Sequence, residues 1–145
     1  MTNFTFQWTE QLKIFEGLAL TAYSDIAGNA TIGYGHKILP SENLSTITIE
    51  QANTILNNDI SGHSDFVNSL NIASNQGEFD ALVDFAYNLG NTALQGSTLV
   101  KVIKDNTNHT DIGFCFLEWC HSSGIVNRDL LYRRGMETLR FYGSI

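Results

Sequence analysis

The first apolar positions, Phe4, Trp8, Leu12 and Phe15, are spaced by three or four residues, the repeat of a single helical stripe. This predicts a helix over about residues 3 to 16, closed by Gly17. From Gly17 to Leu39 the pattern changes to β-formers and glycines, LALTAYSD, AGN and ATIGYGH, which reads as strand, turn and strand and is the one clear β element. Beyond Pro40, helical spacing returns at Ile49, Ala52, Ile55, Leu56, Ile60, Val67 and Leu70, one long helix or one broken at Gly62. Four further helices are expected, over about residues 76 to 89, 97 to 105, 110 to 121 and 128 to 142, with Gly90 and Gly143 as stops and Ser97 or Thr98 as a start. The fold class is α+β and mostly helical. A small β-hairpin lobe, about residues 17–60, is joined by a helix to a larger helical lobe, about 1–16 and 61–145, in one domain.

Composition narrows the function classes. At 145 residues with 43% apolar content, the chain can form a core of its own, and no apolar run approaches the ~20 residues of a membrane span. Membrane insertion is not expected. Eight basic against fifteen acidic residues give a net charge of −7, which opposes nucleic acid and anionic membrane as partners. The first residues lack the basic and apolar regions of a signal peptide, so synthesis in the cytoplasm is expected, with export by another route. Cys115 and Cys120, five apart on an expected helix, point about 140° away from each other, so ordinary buried thiols are the reading.

Chemistry concentrates between the first helix and the hairpin. Glu16 stands at the expected helix end, where free carbonyls and flanking Phe15 and Leu18 disfavour its ionised form. Asp25, beside a glycine turn, is expected to be solvated and ionised, the division of states that acid and base roles require. Strand alternation groups Thr31, Gly33 and Gly35 on one nearly bare face, open to a bulky ligand, and His36 on the other. Capping and solvation by these same residues is the structural alternative.

Taken together, Glu16-GLALTAYS-Asp25-IAGNA-Thr31 and the following IGYGH closely resemble the active-site segment of the phage-type lysozymes, the endolysin muramidases. TIEQANTILNNDI resembles that family's inter-lobe helix, FDALVDFAYNLGNTALQGSTL its central helix and cleft, and Trp119 through Arg133-Arg134-GME its terminal region. The resemblance implies a lysozyme-like fold, with Glu16 as general acid and Asp25 and Thr31 holding the attacking water. The reaction implied is hydrolysis of the β-1,4 bond between N-acetylmuramic acid and N-acetylglucosamine, leading to bacterial cell-wall lysis. It points to inversion, with carboxyl groups ~6.5–9.5 Å apart; a retaining route occurs among related enzymes. It also implies that Arg133 or Arg134 partners Glu16, Arg133 being favoured, and that His36 pairs with Asp59. A close guanidinium would lower the Glu16 pKa, against the helix-end and burial effects. Glu137, three and four residues after these arginines, offers a purely local pairing instead.

Asn88, Ser97 and Thr98 are candidate substrate-binding residues in segments resembling cleft walls, although Ser97 or Thr98 also suits a helix N-cap. Tyr23 and Tyr34 fit cleft or hairpin core. Trp8, Phe79, Phe85, Phe114, Phe116, Trp119 and Phe141 are read as core. His63, His109 and His121 are read as surface or packing residues, and neither a metal nor another cofactor is expected. The expected partner is a peptidoglycan glycan strand met after release or delivery, in a host periplasm or a target cell, by a monomer. The negative charge weakens steering to an anionic wall, which suggests delivery machinery or a tethered domain; an inhibitor or immunity protein is a further candidate partner. A phage endolysin and an antibacterial effector fit equally. Rival readings are a silent glycan- or protein-binding module, and a lytic transglycosylase or chitinase on the same scaffold.

Overall fold

The computed structural model describes residues 1–105 and 111–145, so His109 lies outside the described residues. Helix α1, Phe6–Glu16, begins where the Thr5 hydroxyl accepts from Trp8 N–H, and ends where Gly17, at φ 69°, turns the chain. Trp8 and Leu12 are buried on its inner stripe. Strands β1 (Ala19–Ser24), β2 (Ala30–Gly33) and β3 (His36–Lys37) form an antiparallel sheet in that order, pairing Tyr23 with Thr31 and Thr31 with Lys37. A returning loop covers part of β1, with Ala22 N–H donating to Ser45 and Ile47 N–H to Leu20. That is how a small sheet avoids a bare edge.

Helix α2, Ile49–Leu70, runs unbroken through Gly62. Its start is a capping box between Thr48 and Gln51, and Asn71, in the left-handed region at φ 51°, closes it. Helix α3, Gln76–Leu89, is buried at every position from Phe79 to Ala86, so it is the central helix rather than an amphipathic surface one. Around it pack α4 (Asn91–Gly96), α5 (Thr98–Asp105), α6 (Ile112–Leu117) and α7 (Arg128–Phe141). One cluster joins Leu12 to Leu56 and Ile60, and another, Ile32, Ile47 and Ala52, lies beneath the sheet. The molecule is therefore α+β, with a small sheet lobe joined by α2 to a larger helical lobe.

The details differ from expectation in four places. The segment 31–36 is not one strand: Gly33 and Gly35 have φ of 66° and 77°, so the chain turns at Tyr34–Gly35 and the expected bare Thr31 face does not exist. The helix expected to reach residue 121 stops at Leu117, and a second antiparallel ribbon, β4 (His121–Ser122) with β5 (Ile125–Val126), follows. Six-residue α4 occupies the stretch between the helices expected over 76–89 and 97–105, to which no element had been assigned. Phe114, expected in the core, is 71% exposed, whereas Phe116 two residues on is fully buried.

Candidate active site

Burial of Trp8 and Leu12 fixes the rotation of α1 and leaves Glu16 at its end, half-buried, between the sheet and the helical lobe. Arg133 Nη1 on α7 donates to Glu16 Oε1 at 2.6 Å. From the other side comes the β2–β3 turn, where a Cβ added to Gly35 would stand only 3.1 Å from the Glu16 carboxyl carbon. Only glycine suits both that approach and the positive φ. Beside the carboxyl lies a cavity of about 370 Å³ lined by Phe15, Glu16, Asn88, Leu130, Tyr132 and Arg133, among others. Glu16 thus combines a fixed position with an opening large enough for part of a sugar.

Asp25 sits in the β1–β2 turn, where Asn29 N–H donates to its Oδ1 at 2.7 Å and the Lys37 ammonium from β3 contacts its Oδ2. The Lys37 hydrogen bond and the Asn29 amide hold its pKa down at about 2, so it is a carboxylate at any working pH. Thr31 is 1% exposed and its hydroxyl donates to the Asn29 carbonyl at 3.0 Å. This corrects the picture of Thr31 on an open face: its hydroxyl proton is committed to the same Asn29 that grips Asp25, and it braces the turn.

Both arginine readings occur, on different residues. Arg133 reaches Glu16, and its Nε and Nη2 also donate to the two oxygens of Asp84 on α3, at 2.9 and 3.0 Å. Arg134, fully buried, makes the local pair with Glu137 at 2.9 Å and donates to Asn88 Oδ1 at 2.8 Å, which commits the Asn88 amide oxygen inward. Asn88 lines the cavity. Ser97 is the correction among the candidate binding residues. It is 3% exposed, donates to Leu94 O at 2.6 Å and accepts from Val100 N–H, so it caps α5 instead of facing a ligand. Thr98 is exposed beside it. Asp84 and Lys37 were not picked out from sequence. The available signal for Asp84 was its spacing of four from Asp80 in an otherwise apolar central helix, where a buried carboxylate demands a cationic partner.

His36 Nδ1 pairs with Asp59 Oδ2 on α2 at 2.7 Å, and Nε2 meets Glu42 Oε1 at 2.9 Å, the second partner being an addition to the expected one. Burial would lower the imidazole pKa, but the hydrogen bonds to Glu42 and Asp59 outweigh it and the pKa is raised. The residue ties sheet to inter-lobe helix.

Comparison with known proteins accords with this geometry. The family model described as phage lysozyme matches residues 13–137. The endolysin of Bacillus phage PZA is 37% identical over 134 residues, 90% of this chain and 51% of that protein, so the chain spans about half that relative's length. The endolysin of Salmonella phage P22 is 36% identical, covering 90% of this chain and 92% of that one. Among solved structures, an endolysin from Escherichia coli O157:H7 phage FAHEc1 superposes with a TM-score of 0.85 at 33% identity, covering 99% of this chain and 96% of that one. With a match that runs from within α1 into α7 and takes in Glu16, the sheet and Arg133, this chain belongs to the phage lysozyme family.

Proposed function

We propose that the protein is a muramidase, hydrolysing the β-1,4 link between N-acetylmuramic acid and N-acetylglucosamine in peptidoglycan. The observation that carries this reading is Glu16 itself: a carboxyl at a helix C-terminus, held by a buried guanidinium and opening on a cavity. In this role Glu16 donates its proton to the glycosidic oxygen as the bond breaks. Asp25, ionised and exposed to its turn, orients and deprotonates the attacking water, and Thr31 acts by bracing the turn through Asn29. Asn88 presents its N–H₂ end, which matches an acetamido carbonyl of the substrate. Water attack opposite Glu16 gives inversion, so the first product carries the α anomer. The charge of −7 disfavours unaided attraction to an anionic wall, and delivery by a partner or a tethered domain supplies what steering does not.

The test is clearing of permeabilised Gram-negative cells, with fragments identified by mass. Glu16→Gln is expected to lose about 100-fold or more of the activity while keeping its circular dichroism spectrum. Equal clearing by parent and variant overturns the reading. A reducing muramic end marks hydrolysis, whereas an anhydro end would assign the chain to the transglycosylases.

A further inference from the structure

Arg134 is a fully buried cation that the reaction itself does not use. Its guanidinium lies over the ring of Phe85 on α3, 5.1 Å from the ring centre. Glu137, one turn further along α7, clasps it from the side: Oε1 accepts from Nη2 at 2.9 Å, and Oε2 stands 2.8 Å from Nε in a close contact rather than an aligned hydrogen bond. The guanidinium is held in place. The same Nη2 donates at 2.8 Å to Oδ1 of Asn88, in the last turn of α3. A guanidinium has donors only, so the Asn88 atom that faces it is necessarily the amide oxygen. This fixes which way the amide is flipped. Its Nδ2 has no partner among the described residues, is open to solvent, and belongs to a residue that lines the cavity beside Glu16. An uncommitted N–H₂ donor therefore opens on the site.

We propose that Arg134, held by Glu137 and Phe85, is a positioning residue that locks the Asn88 amide with its N–H₂ outward, so that the cavity selects an N-acetylated sugar over one bearing a free amino group. This deepens the reading of the cavity as a glycan site and rests on it. An acetamido group offers a carbonyl acceptor to the waiting donor, whereas a free amino group at neutral pH is an ammonium that meets it donor to donor. An unlocked amide could turn either end to the ligand and would lose this selectivity. No other polar side chain of the cavity supplies it. The carboxyls of Glu16 and Asp129 are acceptors that favour an ammonium, and the Tyr132 hydroxyl can donate or accept. Arg133 is turned to Glu16 and Asp84. Rejection of the free amine therefore falls to Asn88, and its orientation to Arg134.

The test follows the side-chain amide protons of Asn88 by proton–nitrogen-15 NMR in the Glu16→Gln protein, so that binding is read without turnover and separately from the clearing assay. The probes are the N-acetylglucosamine trimer and its fully de-N-acetylated form, neither of which carries peptide. The acetylated trimer should shift the Nδ2 protons and bind about tenfold or more tightly than the free amine. An unshifted amide, or equal affinities, overturns the proposal. Adding Arg134→Met should bring the ratio of the two affinities toward one. A purely structural role for Arg134 would weaken both probes alike and leave the ratio where it was, which also overturns the proposal. If that variant does not fold, Asn88→Asp decides in its place: one oxygen still meets Arg134, the other turns an acceptor to the cavity, and the preference should shift to the de-N-acetylated trimer. An unchanged preference there counts against the lock.

Discussion

His36 shows how much one side chain depends on what the fold brings to it. Its pairing with Asp59 followed from family resemblance. Glu42 was invisible because it lies in a polar loop of no regular period, and only the folding back of that loop places it at Nε2. The imidazole pKa is raised in the folded state, so protonated His36 contributes stability that is fully present below its unfolded value of about 6.5. That contribution is lost as pH rises through the folded pKa. The melting temperature of the parent relative to His36→Asn should therefore be highest near pH 6 and shrink toward pH 9. A difference that stays constant over that range contradicts the charged pairing. Asp84 belongs to the same scale: its residue type and spacing were on view, but its partner stands 49 residues away in the chain.

Among the elements, helices were the most legible and short connections the least. The periods of α1, α2 and α3 were set by apolar residues that bury one stripe or, for α3, nearly the whole circumference, and their caps Thr5, Thr48 and Asn75 are of the expected kind. The β2–β3 turn was misread as continuous strand because alternation of side chains says nothing about the sign of φ at Gly33 and Gly35. That turn makes a sharp prediction. Gly35→Ala forces a side chain into the left-handed region, at about 1–2 kcal/mol, and pushes a methyl group against the Glu16 carboxyl. Activity should fall on the order of 100-fold as Glu16 is displaced. Gly28→Ala carries the same backbone strain, at φ 83°, with nothing within 4 Å of the added Cβ. It should lose comparable stability in urea unfolding but retain Glu16 in place. Equal loss of activity in both variants would show that strain, not the approach to Glu16, is what Gly35 relieves.

At the scale of the whole molecule, Asp80 gathers the chain's ends onto the central helix. It accepts from Thr5 N–H and hydroxyl at the start of α1, from Gln76 within α3, and from Arg140 near the end of α7, while being fully buried itself. Asp80→Ala removes the counter-ion of a half-buried arginine and strands the cap residue of α1, so urea unfolding should report a loss of about 3 kcal/mol or more. The surface pair Glu10–Lys13 offers the contrast, since Glu10→Ala should cost less than about 1 kcal/mol. A similar small loss at Asp80 would mean that these three helices are held by apolar packing alone.

The sequence by itself determined the helical stripes, the position of Glu16 at the end of the first helix, the Asp25 turn and the absence of a long apolar span. Each of these is written in neighbours a few residues apart, within reach of a single helical or strand period. Tertiary structure alone decided which arginine meets Glu16, that Asp84 stands behind it, that Arg134 pairs with Glu137, that Thr31 turns inward to Asn29 and that Ser97 caps a helix. The reason is physical: buried charges and hydroxyls take their partners from whichever element packs against them, and packing joins residues that local periodicity never relates.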